Sequence, residues 1–225
     1  MHIMYRVSLP IVALLLAVAP AAAQSEKPRA GGPQPSIAPV APPTTSFRSK
    51  YSKGTIIVDT QRRRLLYVLS KTKAYLYPVS VGRQGFQWSG TERITAKKNW
   101  PTWRPPAEMR QRQPNLPTVM SGGLYNPLGA KALYLGSSLY RIHGTSNTRG
   151  IGSANSSGCI RMHNSHVTHL AGLARIGTKV VVLKALPKKV ARSFAGKSTA
   201  SIKIASASKP RRKRDLSWRR AILGN

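Results

Sequence analysis

Acidic residues are scarce in this 225-residue sequence. Five Asp and Glu residues stand against 37 Lys and Arg, which gives a formal net charge of +32 at pH 7. The positive electrostatic potential of such a protein favours polyanionic partners such as nucleic acid, anionic lipid headgroups or acidic wall polymers. The basic residues are spread through predicted strands and are not set on one helix, and no nucleic-acid-reading motif accompanies them. The charge alone therefore does not predict a nucleic-acid-binding protein.

Long hydrophobic runs are also missing, apart from "VSLPIVALLLAV" near the start. This run follows the basic residue Arg6 and precedes a small-residue site at Ala21-Ala22-Ala23, a pattern typical of a signal peptide. It is shorter than the about 20 residues that span a bilayer. We therefore predict a signal peptide over residues 1–23, cleaved near Ala23, and export to a bacterial periplasm or cell envelope. Export favours an anionic envelope surface as partner and argues against nucleic acid.

Two segments of biased composition border a central domain. Residues 24–53 are rich in Pro, Ala and Ser, which predicts an extended, disordered linker. Residues 187–225 are strongly basic without a persistent apolar period, which predicts a mostly disordered tail. Its "KPRRKR" run is either a solvated tail or a tether, which would gain up to about 1 kcal/mol per basic residue near an anionic surface. The domain itself is expected over residues 54–186.

Short runs of β-branched and bulky apolar residues recur through the central domain, and such runs are typical of strands. They are "GTIIVDT", "RRLLYVL", "AYLYPVSVG", "RITAKK", "KALYLG", "YRIHGT" and "KVVVLKAL". One helix is predicted, with Asn164 as N-cap and Gly177 as the C-terminal glycine. The Pro-rich residues 99–123 are predicted to be irregular, as a lid or cleft wall. The sequence thus predicts a mainly β domain, a sandwich or barrel, with one helix beside the cysteine loop.

Cysteine occurs once, as Cys159. An exported protein with one cysteine forms no internal disulfide, and a free thiol is a liability in an oxidising compartment. A buried apolar role is the simple alternative. His143, at the end of a predicted strand, favours a nucleophile instead, because an adjacent imidazole accepts the proton and, as imidazolium, lowers the thiol pKa. The N–H groups of Gly158 and Cys159 are expected to form an oxyanion hole.

The motifs around these two residues resemble those of a known family. "IHGT" followed by "SSGCIRM" is similar to the His-Gly, spacer, Ser-x-Gly-Cys pattern of L,D-transpeptidase catalytic domains. "NPLGAKALYL" and "GTKVVVL" resemble further segments of that family, so the likeness covers about residues 54–186. It implies the family's β-sandwich or barrel-like fold. The histidine precedes the cysteine, whereas papain-like enzymes have the opposite order.

The resemblance implies a role for each matching residue. Cys159 matches the nucleophile, His143 the general base, and Gly144 the residue whose carbonyl orients the imidazole. Arg161 matches a position near the thiol where a guanidinium can hold a substrate carboxylate. Ser156 and Ser157 complete the expected substrate-binding loop, Ser156 mainly by fixing it.

This chain departs from the family pattern at several positions. Ser157 stands where many members have histidine, and His166 where an acid is common. "GFQWSGTERI" replaces the usual "TPxG" segment. His163, His166 and His169 lack nearby acidic or cysteine ligands, so we expect solvated helix positions and no metal site. Neither a metal nor a cofactor is expected.

The implied function is a peptidoglycan L,D-transpeptidase reaction. The thiolate attacks a tetrapeptide stem, D-alanine leaves, and an amine takes the acyl group. The sequence leaves the identity of the acceptor open. An amine of another stem would give a wall crosslink, and an amine of an outer-membrane protein or lipoprotein would anchor that protein to peptidoglycan. Water as acceptor would give L,D-carboxypeptidase-type trimming. A catalytically silent, basic wall-binding module is the alternative from another class.

Overall fold

The computed structural model describes residues 28–187 of the chain. The predicted signal peptide and nearly all of the predicted basic tail lie outside the described residues. Among the residues that are described, no helix combines the length and apolar character needed to cross a membrane.

The described residues form a mainly β domain, and short strands predominate because β-branched and aromatic residues fill them. The strands are β1 Thr44–Ser46, β2 Ile56–Asp59, β3 Arg64–Val68, β4 Lys73–Pro78, β5 Val81–Gly82, β6 Gly90–Asn99, β7 Lys131–Leu135, β8 Arg141–His143, β9 Ala154–Ser156, β10 Ile160–Arg161 and β11 Lys179–Leu183. The helices are α1 Ala107–Arg112 and α2 Asn164–Leu173, with a 3-10 turn at Thr148–Gly150. The mainly β class and the helix after the cysteine loop are confirmed.

Nine of these strands form one mixed sheet in the order β1-β4-β3-β2-β11-β6-β7-β8-β10. Most neighbours are antiparallel, but β11 runs parallel to β2 and β10 runs parallel to β8. Strands β5 and β9 form a separate parallel pair. The cysteine loop therefore ends at the edge of the large sheet, next to the strand that carries the histidine.

The main core lies between this sheet and α2. Val167, Leu170 and Ala171 of the helix are buried against Leu133 and Ile142 of β7 and β8. Burying an aliphatic side chain of this kind stabilises the fold by about 1.5–3 kcal/mol. Packing of α2 thus determines which face of β7 and β8 is apolar and leaves their alternate side chains on the opposite face.

The prediction of a disordered linker is wrong for residues 28–53. Strand β1 pairs with β4, and Phe47 is buried in a second apolar cluster with Ile57 and Leu66. Strands β2 and β3 carry apolar side chains on both faces, so the face that does not pack against the main core must also be buried by another segment. The composition of the segment concealed this, because its contacts are mostly hydrogen bonds to distant parts of the chain, together with the aromatic side chains of Phe47 and Tyr51.

The helix after the cysteine loop differs from its predicted bounds at both ends. His163 is the N-cap, without a side-chain cap bond, and Asn164 is the first helical residue. The Asn164 side chain instead accepts the N–H groups of Ala130 and Thr145, which ties two loops together. The helix ends at Leu173, well before Gly177.

The Pro-rich segment was expected to have no regular structure, and this is wrong for α1, Ala107–Arg112. Pro106 precedes this short helix as its N-cap, a place where its missing N–H costs no hydrogen bond. The rest of the segment is mostly irregular, and Asn126 holds its end by donating to the carbonyl oxygens of Pro101, Met120 and Ser121.

Candidate active site

Strand pairing brings the predicted nucleophile and base to one face of the sheet. In the parallel β8–β10 ladder Ile160 pairs with Ile142, and Arg161 pairs with His143. Both isoleucines are buried in the α2 core. Because side chains alternate along a strand, His143 and Arg161 point to the opposite face, and Cys159, one residue before β10, lies on that side with them.

The imidazole of His143 is held in one orientation. Its Nδ1 lies 2.6 Å from the Gly144 carbonyl oxygen and donates to it, so Nε2 is left as the acceptor. The side chain is 4% exposed. Burial lowers the pKa of His143 to about 3; the Gly144 hydrogen bond opposes this, and the charges of Arg161 and Arg141 reinforce it. The ring is therefore neutral at ordinary pH and can accept a proton.

The thiol of Cys159 is half-buried, neither walled into the core nor fully exposed. Its Sγ lies 3.7 Å from the Leu139 carbonyl oxygen, to which the S–H donates. Burial raises the pKa of the Cys159 thiol, although contacts with Arg141 and the charge of Arg161 lower it in part. The expectation that an imidazolium depresses this pKa is wrong, because the neighbouring ring is buried and neutral.

Proton transfer to the base requires a side-chain rotation. Within the described residues, the hydrogen bond of the Cys159 thiol goes to Leu139 and not to the His143 ring. A staggered change of about 120° at χ1 redirects the sulfur without moving the backbone. The resting site is thus a neutral thiol and a neutral imidazole.

The cysteine loop is braced from within by Ser156. The buried hydroxyl donates to the Cys159 carbonyl oxygen at 2.6 Å and accepts the Gly158 N–H at 3.2 Å. Gly158 is therefore not a free oxyanion donor, which corrects the prediction for its N–H. Ser156 thus fixes the loop by donating and accepting within it, and its predicted substrate contact stays a prediction. In residues 28–187 the Cys159 N–H makes no hydrogen bond, so it remains a candidate donor.

An aromatic pair supports the same loop from outside. Trp88 and Tyr140 stack with ring centroids 4.5 Å apart, and Trp88 Nε1 donates to the Gly158 carbonyl oxygen at 2.8 Å. A Cβ on Gly158 would lie 2.5 Å from the Tyr140 ring, and its φ of +104° strains any other residue. The sequence offers no local signal for this stack, because the two residues are far apart in the chain.

Ser157 lies beside a basic and aromatic contact. Its hydroxyl accepts from Arg83 Nη1 at 3.3 Å, and the Arg83 guanidinium sits 4.1 Å from the Phe86 ring centroid. Arg112 of α1 lies 5.3 Å from the same ring. The Pro-rich segment thus contacts Phe86, whose ring also packs on the Arg83 guanidinium, and its role as a lid or cleft wall stays a prediction. The predicted substrate contact of Ser157 stays a prediction.

Arg161 is half-buried next to His143, and its guanidinium is partly engaged. Its Nη2 donates to Asn155 Oδ1, which also accepts from Ser80 Oγ at 2.6 Å. Arg161 Nε is buried and has no hydrogen-bond partner within the described residues. Desolvation lowers the pKa of Arg161. The carboxylate-holding role proposed for it stays a prediction, since Asn155 occupies one of its donors.

The three histidines of α2 are half-buried and not solvated, which corrects that expectation. The His169 Nδ1 lies 2.8 Å from the Tyr77 hydroxyl, and the rings of His163 and His166 contact each other edge to face. Burial lowers the pKa of His166 to about 4, and the neighbouring histidines lower it further. In the part of the chain that the structure describes, no cluster of His, Cys, Asp or Glu is arranged to hold a metal ion.

Sequence reasoning missed one residue of this site, Arg141. It lies two residues before His143 on β8, so both side chains share a face. Its Nη1 donates to the Leu139 carbonyl oxygen at 2.9 Å, the same oxygen that accepts from the thiol. The period-two spacing was the signal that could have identified it.

Comparison with known proteins identifies the family to which the sequence is similar. The family model described as the L,D-transpeptidase catalytic domain (YkuD) matches residues 53–182. The probable L,D-transpeptidase YbiS of Escherichia coli K12 is 36% identical over 134 residues, which cover 56% of this chain and 43% of that protein. A putative L,D-transpeptidase of Fuscovulum blasticum is 35% identical over 133 residues, covering 58% of this chain and 70% of that protein.

Solved structures of similar proteins are also known. A catalytic domain of an Enterococcus faecium L,D-transpeptidase, acylated by ertapenem, aligns with a TM-score of 0.43 and 18% identity, over 60% of this chain and 100% of that chain. An L,D-transpeptidase from Mycobacterium smegmatis aligns with a TM-score of 0.45 and 17% identity over 58% of each chain. The matched region spans less than half the length of the first of the curated relatives, YbiS.

Proposed function

The chain belongs to the L,D-transpeptidase catalytic domain family, and from this membership we propose that it is a peptidoglycan L,D-transpeptidase with Cys159 as its nucleophile. The observation that carries the proposal is the β8–β10 pairing, which puts Cys159 and His143 on the same face of neighbouring strands, with the Nδ1 of the imidazole engaged by Gly144. A thiol, an oriented neutral base and an unpaired N–H are the groups that acyl transfer requires.

In the first step the thiol rotates from Leu139 towards His143, and Nε2 takes its proton as the sulfur attacks the peptide carbonyl carbon. The C–S bond forms and the carbonyl oxygen becomes an oxyanion, to which the Cys159 N–H donates. The neighbouring Arg141 stabilises the negative charge as it develops. Collapse of this intermediate breaks the C–N bond, and the imidazolium returns its proton to the departing D-alanine amine.

In the second step an amine attacks the thioester, and His143 removes the amine proton. The C–N bond forms, the C–S bond breaks, and the thiol regains its proton. We propose a second peptide stem as the principal acceptor, with a protein amine or water as the other two. Because the imidazole is neutral at rest and the thiol is protonated, proton transfer and attack occur together in each direction.

The proposed setting is the periplasm, with the chain exported by residues 1–23. The basic tail is proposed to hold the enzyme near an anionic envelope surface, since each basic residue gains up to about 1 kcal/mol there. Retention on wall sacculi should weaken when residues 188–225 are removed, and the difference should shrink as salt is raised. Equal retention of the full-length and the truncated chain at low salt would refute a tethering role for residues 188–225.

The test of the enzymatic proposal is D-alanine release from tetrapeptide stems. Cys159→Ala should abolish release, while its thermal unfolding and its retention on sacculi stay close to those of the unchanged chain. Mass spectrometry of the products then distinguishes crosslinked, protein-linked and trimmed stems. Release at the unchanged rate from the Cys159→Ala protein would refute a thiol nucleophile, and retention without any release by the unchanged chain would favour a silent binding module.

A further inference from the structure

A basic patch extends from the thiol across the face of the sheet opposite α2. The β7–β8 register pairs Tyr134 with Arg141. The Arg141 guanidinium carbon lies 4.9 Å from the Tyr134 ring centroid, and Lys98 Nζ lies 5.6 Å from the same centroid. These three residues, from neighbouring strands β6, β7 and β8, are called the Arg141 patch below. Two cations therefore flank a single aromatic ring.

The Arg141 patch begins at the sulfur itself. Arg141 and Cys159 both donate to the Leu139 carbonyl oxygen, at 2.9 Å and 3.7 Å. A positive charge at this position favours the thiolate over the thiol, and Arg141 lowers the pKa of the Cys159 thiol in opposition to burial. Any peptide whose carbonyl reaches the sulfur thus brings its neighbouring atoms against the Arg141 guanidinium.

The cations of the patch have no protein counter-charge. Within residues 28–187 the salt bridge that forms is between Arg62 and Asp59 of β2, which is separated from β8 by three strands, so neither Arg141 nor Lys98 is paired with a carboxylate. Arg141 Nε is buried and makes no hydrogen bond in that range. Like charges close together repel each other, and a ring attracts each of them only weakly. A cation that has a buried, unpaired N–H donor and no counter-charge is suited to bind an anionic ligand, which supplies both an acceptor and a negative charge.

The position of the patch identifies which anion fits. In a tetrapeptide stem the terminal carboxylate carbon is three bonds from the attacked carbonyl carbon, which is about 4 Å or less. In the β8–β10 register Arg141 lies opposite Cys159, and its Nη1 donates to the carbonyl oxygen that also accepts from the thiol. Arg161 lies two residues along the chain from Cys159, in register with His143, and donates to Asn155. A planar guanidinium binds a carboxylate through two parallel N–H bonds, and Lys98 adds a second charge.

We propose that the Arg141 patch is a carboxylate subsite that binds the free terminal carboxylate of the departing residue. The proposal rests on the proposed function, because it names the leaving group of that reaction. It makes the enzyme select donors that end in a free acid over donors that end in an amide or continue into a longer peptide.

The experiment compares two donor peptides, a tetrapeptide stem and the same peptide with a C-terminal carboxamide. The unchanged chain should have a kcat/KM at least about tenfold higher for the free acid, since a charge-assisted hydrogen bond is exchanged for a neutral one. Arg141→Gln should reduce that preference to nearly one, and Lys98→Gln should reduce it in part. Equal kcat/KM for both peptides, or a preference that survives Arg141→Gln, would overturn the subsite.

Lys131→Gln provides the matched control. Lys131 lies on β7 three residues before Tyr134, so its side chain is on the opposite face of that strand, and its Nζ donates to the Asn99 side chain. Removing this charge lowers the net charge by the same amount and should leave the acid-to-amide preference unchanged. Loss of preference in Lys131→Gln as well would assign the effect to the overall field and overturn the subsite.

A binding measurement separates this proposal from the enzymatic one. Cys159→Ser protein, titrated with each peptide and followed by NMR, should bind the free acid more tightly, and Arg141→Gln should remove the difference. If the unchanged chain releases nothing from either peptide, the proposed function fails while this titration still decides the subsite. Equal affinities in the Cys159→Ser protein would overturn the subsite even if release is observed.

Discussion

Acid should destabilise this domain through one buried side chain, His143. Its pKa falls from an ordinary value of 6.5 to about 3 in the folded protein, because burial disfavours the charged ring. In the unfolded chain the ring is solvated and titrates near 6.5. Between these two values the unfolded state binds a proton that the native state does not bind. Stability from this group is therefore complete above about pH 6.5 and is lost as the pH falls towards 3.

The size of the effect follows from the two pKa values. On lowering the pH from about 7.5 to about 5, linkage predicts a loss of about 2 kcal/mol in the free energy of unfolding from His143. The result depends little on the folded value, since a native pKa of 4 or less leaves the ring neutral at pH 5 in either case. The free energy of unfolding of a domain is typically about 5–15 kcal/mol, so a loss of this size is easily measured.

The assay is urea unfolding of the unchanged chain and of His143→Gln at both pH values. Glutamine does not titrate, and its amide can still donate to the Gly144 carbonyl oxygen. The unchanged chain should lose about 2 kcal/mol more than His143→Gln, while contributions from His163, His166 and His169 cancel in the comparison. Parallel pH dependence of the two proteins would show that His143 is not buried as a neutral ring.

Two further predictions concern the cysteine loop. Ser156→Ala should lower the free energy of unfolding by about 1–3 kcal/mol, because the Gly158 N–H loses its acceptor, and should slow D-alanine release. Ser153→Ala, which removes a bond to the Gly150 carbonyl oxygen in the preceding turn, should leave release unchanged, and equal slowing would contradict the bracing role. Alkylation of Cys159 by iodoacetamide should keep accelerating above pH 8.5, since burial raises the thiol pKa. A rate that levels off near neutral pH would refute a protonated resting thiol.

Strands with strong local composition were predictable from the sequence, and weakly marked ones were not. "IIVD", "KALYL" and "KVVVL" are runs of β-branched and bulky residues, and each is a strand. Strand β1, "TTS", has no apolar pattern and exists because the edge of β4 offers it hydrogen-bonding partners. Pairing of that kind depends on a neighbour far along the chain, which local reading does not detect.

The helix shows the same division between local and distant causes. Val167 and Leu170 repeat at helical spacing, so the existence of α2 could be read from the sequence. Its ends could not, because Asn164 is a good capping residue whose side chain binds the loops at Ala130 and Thr145 instead. A tertiary hydrogen bond replaced the local one.

For the site, the identity of the reacting residues was readable, but their protonation was not. A lone cysteine after Ser-Ser-Gly and a histidine before glycine indicated Cys159 and His143 by residue type and order. The sequence expectation of a depressed thiol pKa failed, since desolvation is the largest effect on the pKa of both groups in this site. Burial is a property of the whole fold and is not written in any short motif.

The sequence by itself determined the family, the chemistry-bearing residues and most of the strands, because residue type, order and alternation are local quantities. Only the tertiary structure decided what surrounds the thiol. The parallel pairing of β8 and β10 sets Arg141 and Arg161 beside the reacting pair, and the Ser156, Trp88 and Tyr140 contacts hold the loop there. Electrostatic and packing effects act through space between distant parts of the chain, so they appear only once the chain is folded.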